Sequence, residues 1–313
     1  MRCLITGASG FIGSSFVDTL NRQGDCDLVV TTRSNSAQFA ADIINFSMEM
    51  TPETDWSTAL HSIDVIVHLA ARAHILNDSA ADSLAVFRRE NTASTLNLAE
   101  QAASSGVRRF VFISSIGVNG IGNDRPFRHD DRPNPSEPYA ISKHECEVGL
   151  REIAGRTGME LVIIRPPLVY GPNAPGNFAR LVQLVGKRIP LPLASVRNRR
   201  TLVALRNLTD LIALCMRHPS AAGETFLAGD GEDLSTPDLI REIAGALGIR
   251  PALFPFPVSL LLGASRLVGK EAPFQRLCGS LQVDISHARN ILGWSPTLSP
   301  QEGLRLAICK APG

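Results

Sequence analysis

Short apolar runs alternate with helix-patterned stretches along the first half of the chain. The first run, Arg2–Thr6, ends in Gly7-Ala8-Ser9-Gly10-Phe11-Ile12-Gly13, and the segment beyond it places Phe16, Val17 and Leu20 on one helical face. Similar runs recur at Leu28–Thr32, Ile63–Ala71, Arg109–Ile113 and Leu161–Arg165, with a helical stretch through Asn91–Ala103 between them. Runs apolar on consecutive positions suit strands covered on both faces, so the pattern predicts an α/β fold with a doubly wound parallel sheet. Past Arg165 the alternation loosens. Gly176-Asn177-Phe178 opens a helix, Pro190–Leu193 reads as a turn, Arg200–Leu205 and Glu224–Ala228 read as strands, and Ser235 caps a further helix. The expected division is a dinucleotide-type core over 1–170, a segment near 200–220 returning to it, and a smaller substrate-binding lobe over most of 171–313.

Composition narrows the function classes. The 313 residues are 44% hydrophobic and 19% charged, with a net charge of +1, which describes a globular chain without the electrostatic footprint of a nucleic-acid binder. Six scattered cysteines form no C-x-x-C pair and no His cluster accompanies them, so reduced thiols in the cytoplasm are expected and a metal is not. With a strand-like run starting at Arg2, no signal peptide is expected. The stretch Leu253–Ala264 is strongly apolar, but its prolines and the flanking Arg250 and Arg266 keep it well short of the ~20 residues a membrane span needs.

Strand, glycines and helix in that order make a phosphate cradle. Gly7 permits the tight turn, Gly10 lets the backbone approach a pyrophosphate, and Gly13 lets the helix pack on the strand. The spacing is G-x-x-G-x-x-G, and with the alternation around it the core reads as a Rossmann sheet. After the second strand, Thr32 and Arg33 stand where an acidic residue would meet a ribose 2′-hydroxyl. A hydroxyl and a guanidinium suit a 2′-phosphate, so NADP(H) is favoured and NAD(H) is the alternative. Ser114 and Ser115 follow the strand Arg109–Ile113, at the edge where open α/β sheets bind ligands. Tyr139 and Lys143 are one helical turn apart and share a face. At roughly 4–5 Å and an effective dielectric near 20, the ammonium would stabilise a phenolate by about 3–4 kcal/mol. That lowers the tyrosine pKa by about 2–3 units before desolvation is counted.

Taken together, Thr6–Gly13, His68–Ala71, Ser114-Ser115, Tyr139 with Lys143, Arg165–Pro172 and Leu292–Pro296 resemble the extended short-chain dehydrogenase/reductase family, in its nucleotide-sugar epimerase and ketoreductase branch. The resemblance implies that Ser115 hydrogen-bonds the reacting sugar oxygen, Tyr139 exchanges its proton, and Lys143 holds the nicotinamide ribose. It implies a cofactor site built from Gly7, Gly10, Phe11, Ile12, Gly13, Thr32, Arg33, Asp42, Ile43, His68, Leu69, Ala70, Ala71, Asn91, Ser114, Tyr139, Lys143 and Pro166. Within that set, Asp42 and Ile43 would meet the adenine and Pro166 the nicotinamide. Ser115, Asn119, Tyr139, Asn177, Arg200 and Arg276 would face a UDP-sugar. A homodimer through the helices bearing Asn91–Ala103 and Tyr139–Arg151 is also implied.

One departure and one further resemblance narrow the reaction. Relatives that dehydrate the sugar carry an Asp-Glu pair directly after the catalytic hydroxyl. Here those places are Ile116 and Gly117, which cannot move protons. The segment Asn198–Asp210 resembles bacterial enzymes that reduce UDP-4-keto-6-deoxy-N-acetylhexosamines for surface polysaccharide. With Arg33 it points to a reductase forming UDP-N-acetylquinovosamine or UDP-N-acetylfucosamine. The rival expectation is an NAD-dependent UDP-sugar 4-epimerase, and the more distant one a non-catalytic NADP(H) sensor.

Overall fold

In the computed structural model, which describes residues 1–33, 38–72, 83–267, 269 and 271–309, ten strands follow one another along the chain. They are β1 (Arg2–Thr6), β2 (Asp27–Thr32), β3 (Ile44–Ser47), β4 (Val65–His68), β5 (Arg109–Ile113), β6 (Glu160–Arg165), β7 (Leu168–Tyr170), β8 (Arg200–Ala204), β9 (Thr225–Leu227) and β10 (Asp233–Leu234). Seven of them form one sheet in the order β3-β2-β1-β4-β5-β6-β9, and every neighbouring pair is parallel. The order reverses between β1 and β4. A crevice therefore opens there at the carboxyl ends of the strands, where doubly wound sheets take their ligands. The expected Rossmann architecture is present.

The apolar runs are continuous because both faces of the sheet are covered. Cys3, Ile5, Val30, Val67 and Val111 pack on one side with Phe16, Val17 and Leu20 of helix α1 (Phe11–Gln23). Leu4, Val29, Ile66, Phe110 and Ile163 pack on the other with Leu98, Ala99 and Ala102. That second face is covered by α2 (Ser83–Phe87), a π-helical stretch over Arg88–Ala93, α3 (Ser94–Ser104) and α4 (Pro138–Thr157). Asn91, expected inside an α-helix, lies in the π-helical stretch, a wide turn often found at functional positions. Gly149 sits against Leu96, where an added Cβ would come within 2.6 Å of the leucine, so α3 and α4 approach closely there.

The remaining strands make a three-stranded sheet in the order β10-β8-β7, beside α5 (Asn177–Gly186) and α7 (Thr236–Ala246). Helix α6 (Leu205–Arg217) goes back to the main sheet, burying Leu208, Leu211, Ile212, Cys215 and Met216 in the same cluster as α1. The rest of the chain adds α8 (Val258–Leu267), α9 (Glu271–Cys278), α10 (Ser286–Leu292) and α11 (Pro300–Ile308). A buried joint ties the two sheets together. The Tyr170 hydroxyl donates to Asp230 at 2.7 Å, and the same carboxylate accepts the Ala204 amide and the Asn207 side chain.

Gly13 is fixed by geometry, since a Cβ there would stand 2.1 Å from the Gly7 carbonyl oxygen. Gly13→Ala is expected to cost about 1–3 kcal/mol by overpacking against backbone that cannot yield. In Gly155→Ala, within α4, the new methyl meets nothing within 4 Å; there a gain of about 0.5–1 kcal/mol is expected. Urea unfolding midpoints of the two variants check both signs.

Candidate active site

The loop after β1 reaches the crevice because Gly7 adopts a left-handed φ of +71° and turns the chain sharply. Its Cα side faces the loop after β4, and an added Cβ would lie 2.7 Å from the Ala70 nitrogen. Gly10 then stands at the start of α1 without a side-chain cap, which leaves the first amides of that helix to an anion. Gly7, Gly10, Thr32, Arg33, Leu69, Ala70 and Ala71 line one cavity of about 820 Å³, with Met48, Glu49 and Met50 at its far end. The size, the uncapped helix terminus and the bare backbone fit a dinucleotide.

The candidate reacting groups sit farther along the same edge of the sheet. Ser115 follows β5 and remains partly exposed, and its Oγ accepts the Gly117 amide at 3.1 Å. This fixes the oxygen and leaves its proton to donate to a ligand. Tyr139 lies in the first turn of α4, behind Glu137 and Pro138, where the positive end of the helix favours a phenolate. Its ring meets Phe87 edge-on with centroids 6.0 Å apart. Lys143 is buried; its Nζ donates to the Ile113 carbonyl at 2.8 Å and lies 5.9 Å from the Tyr139 ring centroid. Gly117 separates the two halves of the site, with room for a Cβ only 3.1 Å from Ala140 and 3.4 Å from Ser115 Oγ.

The electrostatics of the dyad differ from the expectation. Burial raises the Tyr139 pKa well above its ordinary value, although one side of the ring still faces the cleft. Burial also lowers Lys143 to about 8, against the opposing pull of Cys146 and Glu147. Burial thus acts against the charged form of each group, opposite in direction to the lowering of Tyr139 that its spacing from Lys143 predicts.

Several expected ligand residues turn out to be fasteners. Glu147, one turn beyond Lys143, is fully buried and clamped by Arg165 through two contacts of 2.8 and 2.6 Å. The Ser114 hydroxyl donates to the same carboxylate at 2.6 Å, so Ser114 lies beneath the site while Ser115 faces it. Arg165 also donates to Asn119 Oδ1 at 2.9 Å, and Asn119 Nδ2 donates to the Arg128 carbonyl. Asn119 is buried, with both ends of its side-chain amide hydrogen-bonded within the protein. Burial pushes the Glu147 carboxyl up, but the Arg165 contacts and the Ser114 bond prevail and hold it below the ordinary range.

His68 is likewise an internal brace. Its ring nitrogens meet Thr6 Oγ1 at 2.7 Å and Thr95 Oγ1 at 2.9 Å, and burial lowers its pKa to about 3, so it stays neutral. Asn91 accepts the Arg72 amide and donates to the Arg72 carbonyl and to Ser142, linking the loop after β4 to α4. Asp42 is misplaced by the sequence reading. It precedes β3, whose last residue pairs with Thr32, so it sits in an exposed turn at the opposite edge from the crevice. Ile43 packs against the core from the same turn. Met48–Met50, just past β3, occupy the position assigned to Asp42. The signal was available: the ligand edge lies after a parallel strand, not before it.

Phe11 and Ile12, in the first turn of α1, pack against protein clusters. Pro166 is buried after β6, and its carbonyl accepts the Ile116 amide at 3.0 Å, tying the nicotinamide-side loop to the Ser115 loop. On the lobe side, Asn177 is exposed at the start of α5. Arg200 donates to the Gly279 carbonyl at 2.9 Å, and burial lowers its pKa. Arg276 of α9 pairs with Glu137, two residues before Tyr139. Among the described residues no group of three His, Cys, Asp or Glu side chains converges on a metal site.

A phosphate-binding glycine turn on a doubly wound sheet, with serine, tyrosine and lysine at the carboxyl edge, defines the extended short-chain dehydrogenase/reductase class. Within it, the chain belongs to the NAD dependent epimerase/dehydratase family, whose model matches residues 3–229. It is 44% identical to a UDP-glucose 4-epimerase of Vibrio cholerae, over 96% of this chain and 93% of the relative. A UDP-glucose 4-epimerase of Mycolicibacterium smegmatis is 31% identical, with 98% and 97% covered. Among solved structures, UDP-glucuronic acid 4-epimerase from Bacillus cereus, in complex with UDP-glucuronic acid and NAD, superposes with a TM-score of 0.81 at 22% identity, over 98% of both chains.

Removing the buried carboxylate strands Arg165, so Glu147→Ala is expected to destabilise by about 3–5 kcal/mol in chemical denaturation. Because the Glu147 pKa is depressed, its stabilisation is fully present above the ordinary carboxylate value and fades as pH falls through the lower folded value.

Lys143 gives a second pH signature. The unfolded chain keeps its proton up to 10.5 and the folded chain only to about 8. The cost of holding it charged disappears as pH rises through that window, so it adds up to about 3 kcal/mol of stability there. Lys143→Met should lose this rise when urea unfolding is compared at the two ends of the window.

Proposed function

We propose that the chain is an NAD-dependent UDP-sugar 4-epimerase acting on UDP-glucose or UDP-N-acetylglucosamine and their C4 epimers. The observation that carries this reading is the near full-length 44% identity to a UDP-glucose 4-epimerase. It displaces the expected ketoreductase, which leaned on Arg33. That arginine does line the cavity, but Glu49 lines it too, and a carboxylate beside the adenosine end disfavours a 2′-phosphate. The B. cereus enzyme of the same fold was crystallised with NAD, which supports the same cofactor here.

NAD, held by the Gly7–Gly13 cradle, would supply the reversible hydride exchange at C4 that epimerisation needs. For this, Tyr139 must begin as the base that takes the C4 hydroxyl proton and later gives it back. The Ser115 hydroxyl donates to the C4 oxygen as it becomes a carbonyl. The first turn of α4 and the Lys143 ammonium favour the phenolate, opposing the burial that raises it. Asn177, Arg200 and Arg276 would meet the UDP end, and Arg276 must exchange its Glu137 partner for the diphosphate to do so. Ile116 and Gly117 carry no acid or base, so the loop does not eliminate water. A homodimer through α3 and α4 belongs to the proposal as well.

The test is incubation with UDP-glucose, or UDP-N-acetylglucosamine, and catalytic NAD. The galacto sugar should form with no net change at 340 nm, the nicotinamide absorbance. Stoichiometric NADPH consumption on a UDP-4-keto-6-deoxy-N-acetylhexosamine, without epimerisation, would instead establish the reductase. Tyr139→Phe should keep NAD binding and lose at least about 10²–10⁴-fold in turnover.

A further inference from the structure

The stretch Leu253–Ala264, too short to span a bilayer, forms an apolar surface that the catalytic reading leaves unused. Val258 and Leu261 of α8 face the lobe core. The opposite face carries Leu260, Gly263, Ala264 and Leu267 at helical spacing, with Leu260 60% and Leu267 89% exposed. A helix apolar on both faces is ordinarily covered on both. Phe254 and Phe256 are also exposed just before it. The backbone of Phe254 exchanges hydrogen bonds with the neighbouring segment, accepting the Ala194 amide and donating to the Leu191 carbonyl. Ile189 and Leu184, in the segment that leads into that pairing, are exposed as well.

Near it in sequence, basic residues outnumber acidic ones. The stretches 161–209 and 243–270 contain no Asp or Glu. Exposed Lys187, Arg188 and Arg250 border the apolar residues, and Arg266 is paired with Glu271 at 3.0 Å. Leucine and phenylalanine framed by basic residues, on a helix lying along the surface, is the composition of an interfacial membrane contact. Among the described residues no helix is long and apolar enough to cross a membrane.

We propose that this face of the lobe docks peripherally on an anionic phospholipid surface, with Phe254, Phe256 and Leu260 entering the headgroup boundary and Lys187, Arg188 and Arg250 meeting lipid phosphates. Each exposed basic side chain near such a surface is worth about fivefold in partitioning. Because α8 leads directly into α9, whose Arg276 pairs with Glu137 at the head of the catalytic helix, docking would hold the substrate entrance close to the bilayer.

The test is sedimentation of the whole chain with phosphatidylcholine vesicles containing about one quarter phosphatidylglycerol, and with pure phosphatidylcholine. Binding to the anionic vesicles is expected, weakening with added salt. Both Phe254→Ser/Phe256→Ser/Leu260→Ser and Lys187→Glu/Arg188→Glu should weaken it by at least about tenfold. Turnover of soluble UDP-sugar should be unchanged, since none of these residues belongs to the catalytic site. Equal binding to both vesicle types, or variants that bind like the parent, would overturn the proposal. So would a concentration-dependent dimer abolished by the apolar variant, which would assign the patch to a second copy of the chain.

Discussion

The geometry of the reacting groups depends on one buried ion pair. Glu147 comes from α4, Arg165 from the end of β6, and Ser114 from the end of β5, and all three meet at one carboxylate. Each of these elements carries a reacting or cofactor-facing residue next door: Lys143 one turn away, Pro166 one residue on, and Ser115 one residue on. A buried carboxylate and guanidinium are costly to desolvate and gain little net stability as a pair. What such a pair supplies is direction, because a two-pronged contact has one good geometry. The crevice is thus held in register by charge at its base while its walls are held by apolar packing.

The architecture was legible because the sheet writes itself into the chain as apolar runs, each ending where the ligand edge begins. Tyr139, Lys143 and Ser115 were legible for the same reason, since their spacing and strand ends are local features. Ser114 and Asn119 were not. Adjacent residues leaving a strand point to opposite sides, and what holds these two is a partner distant in sequence, Glu147 for Ser114 and Arg165 for Asn119. Asp42 failed for a different cause: an acidic residue was matched by type before the ends of β3 were known. Glu147 went unread because a glutamate on an apparently amphipathic helix looks solvated until Arg165 is seen to stand opposite it.

The dyad also shows why spacing alone misjudges acidity. Proximity on a helix brings attraction, but the same helix face is buried against β5, and burial acts against both charged forms. Lys143 meets the ring of Phe112 at 4.5 Å and a backbone carbonyl, partners that orient the ammonium without rehydrating it.

The loop after Ser115 has a chemical consequence. Ile116 is sealed in a small apolar cluster with Leu227 and Leu281, and Gly117 has Ala140 directly over the place a side chain would take. An acid at the first position would be stranded in hydrocarbon, and one at the second would displace the residue beside the catalytic tyrosine. Water elimination at this loop would need more than one substitution, because the packing that aligns the serine leaves little room for an acid or base beside it.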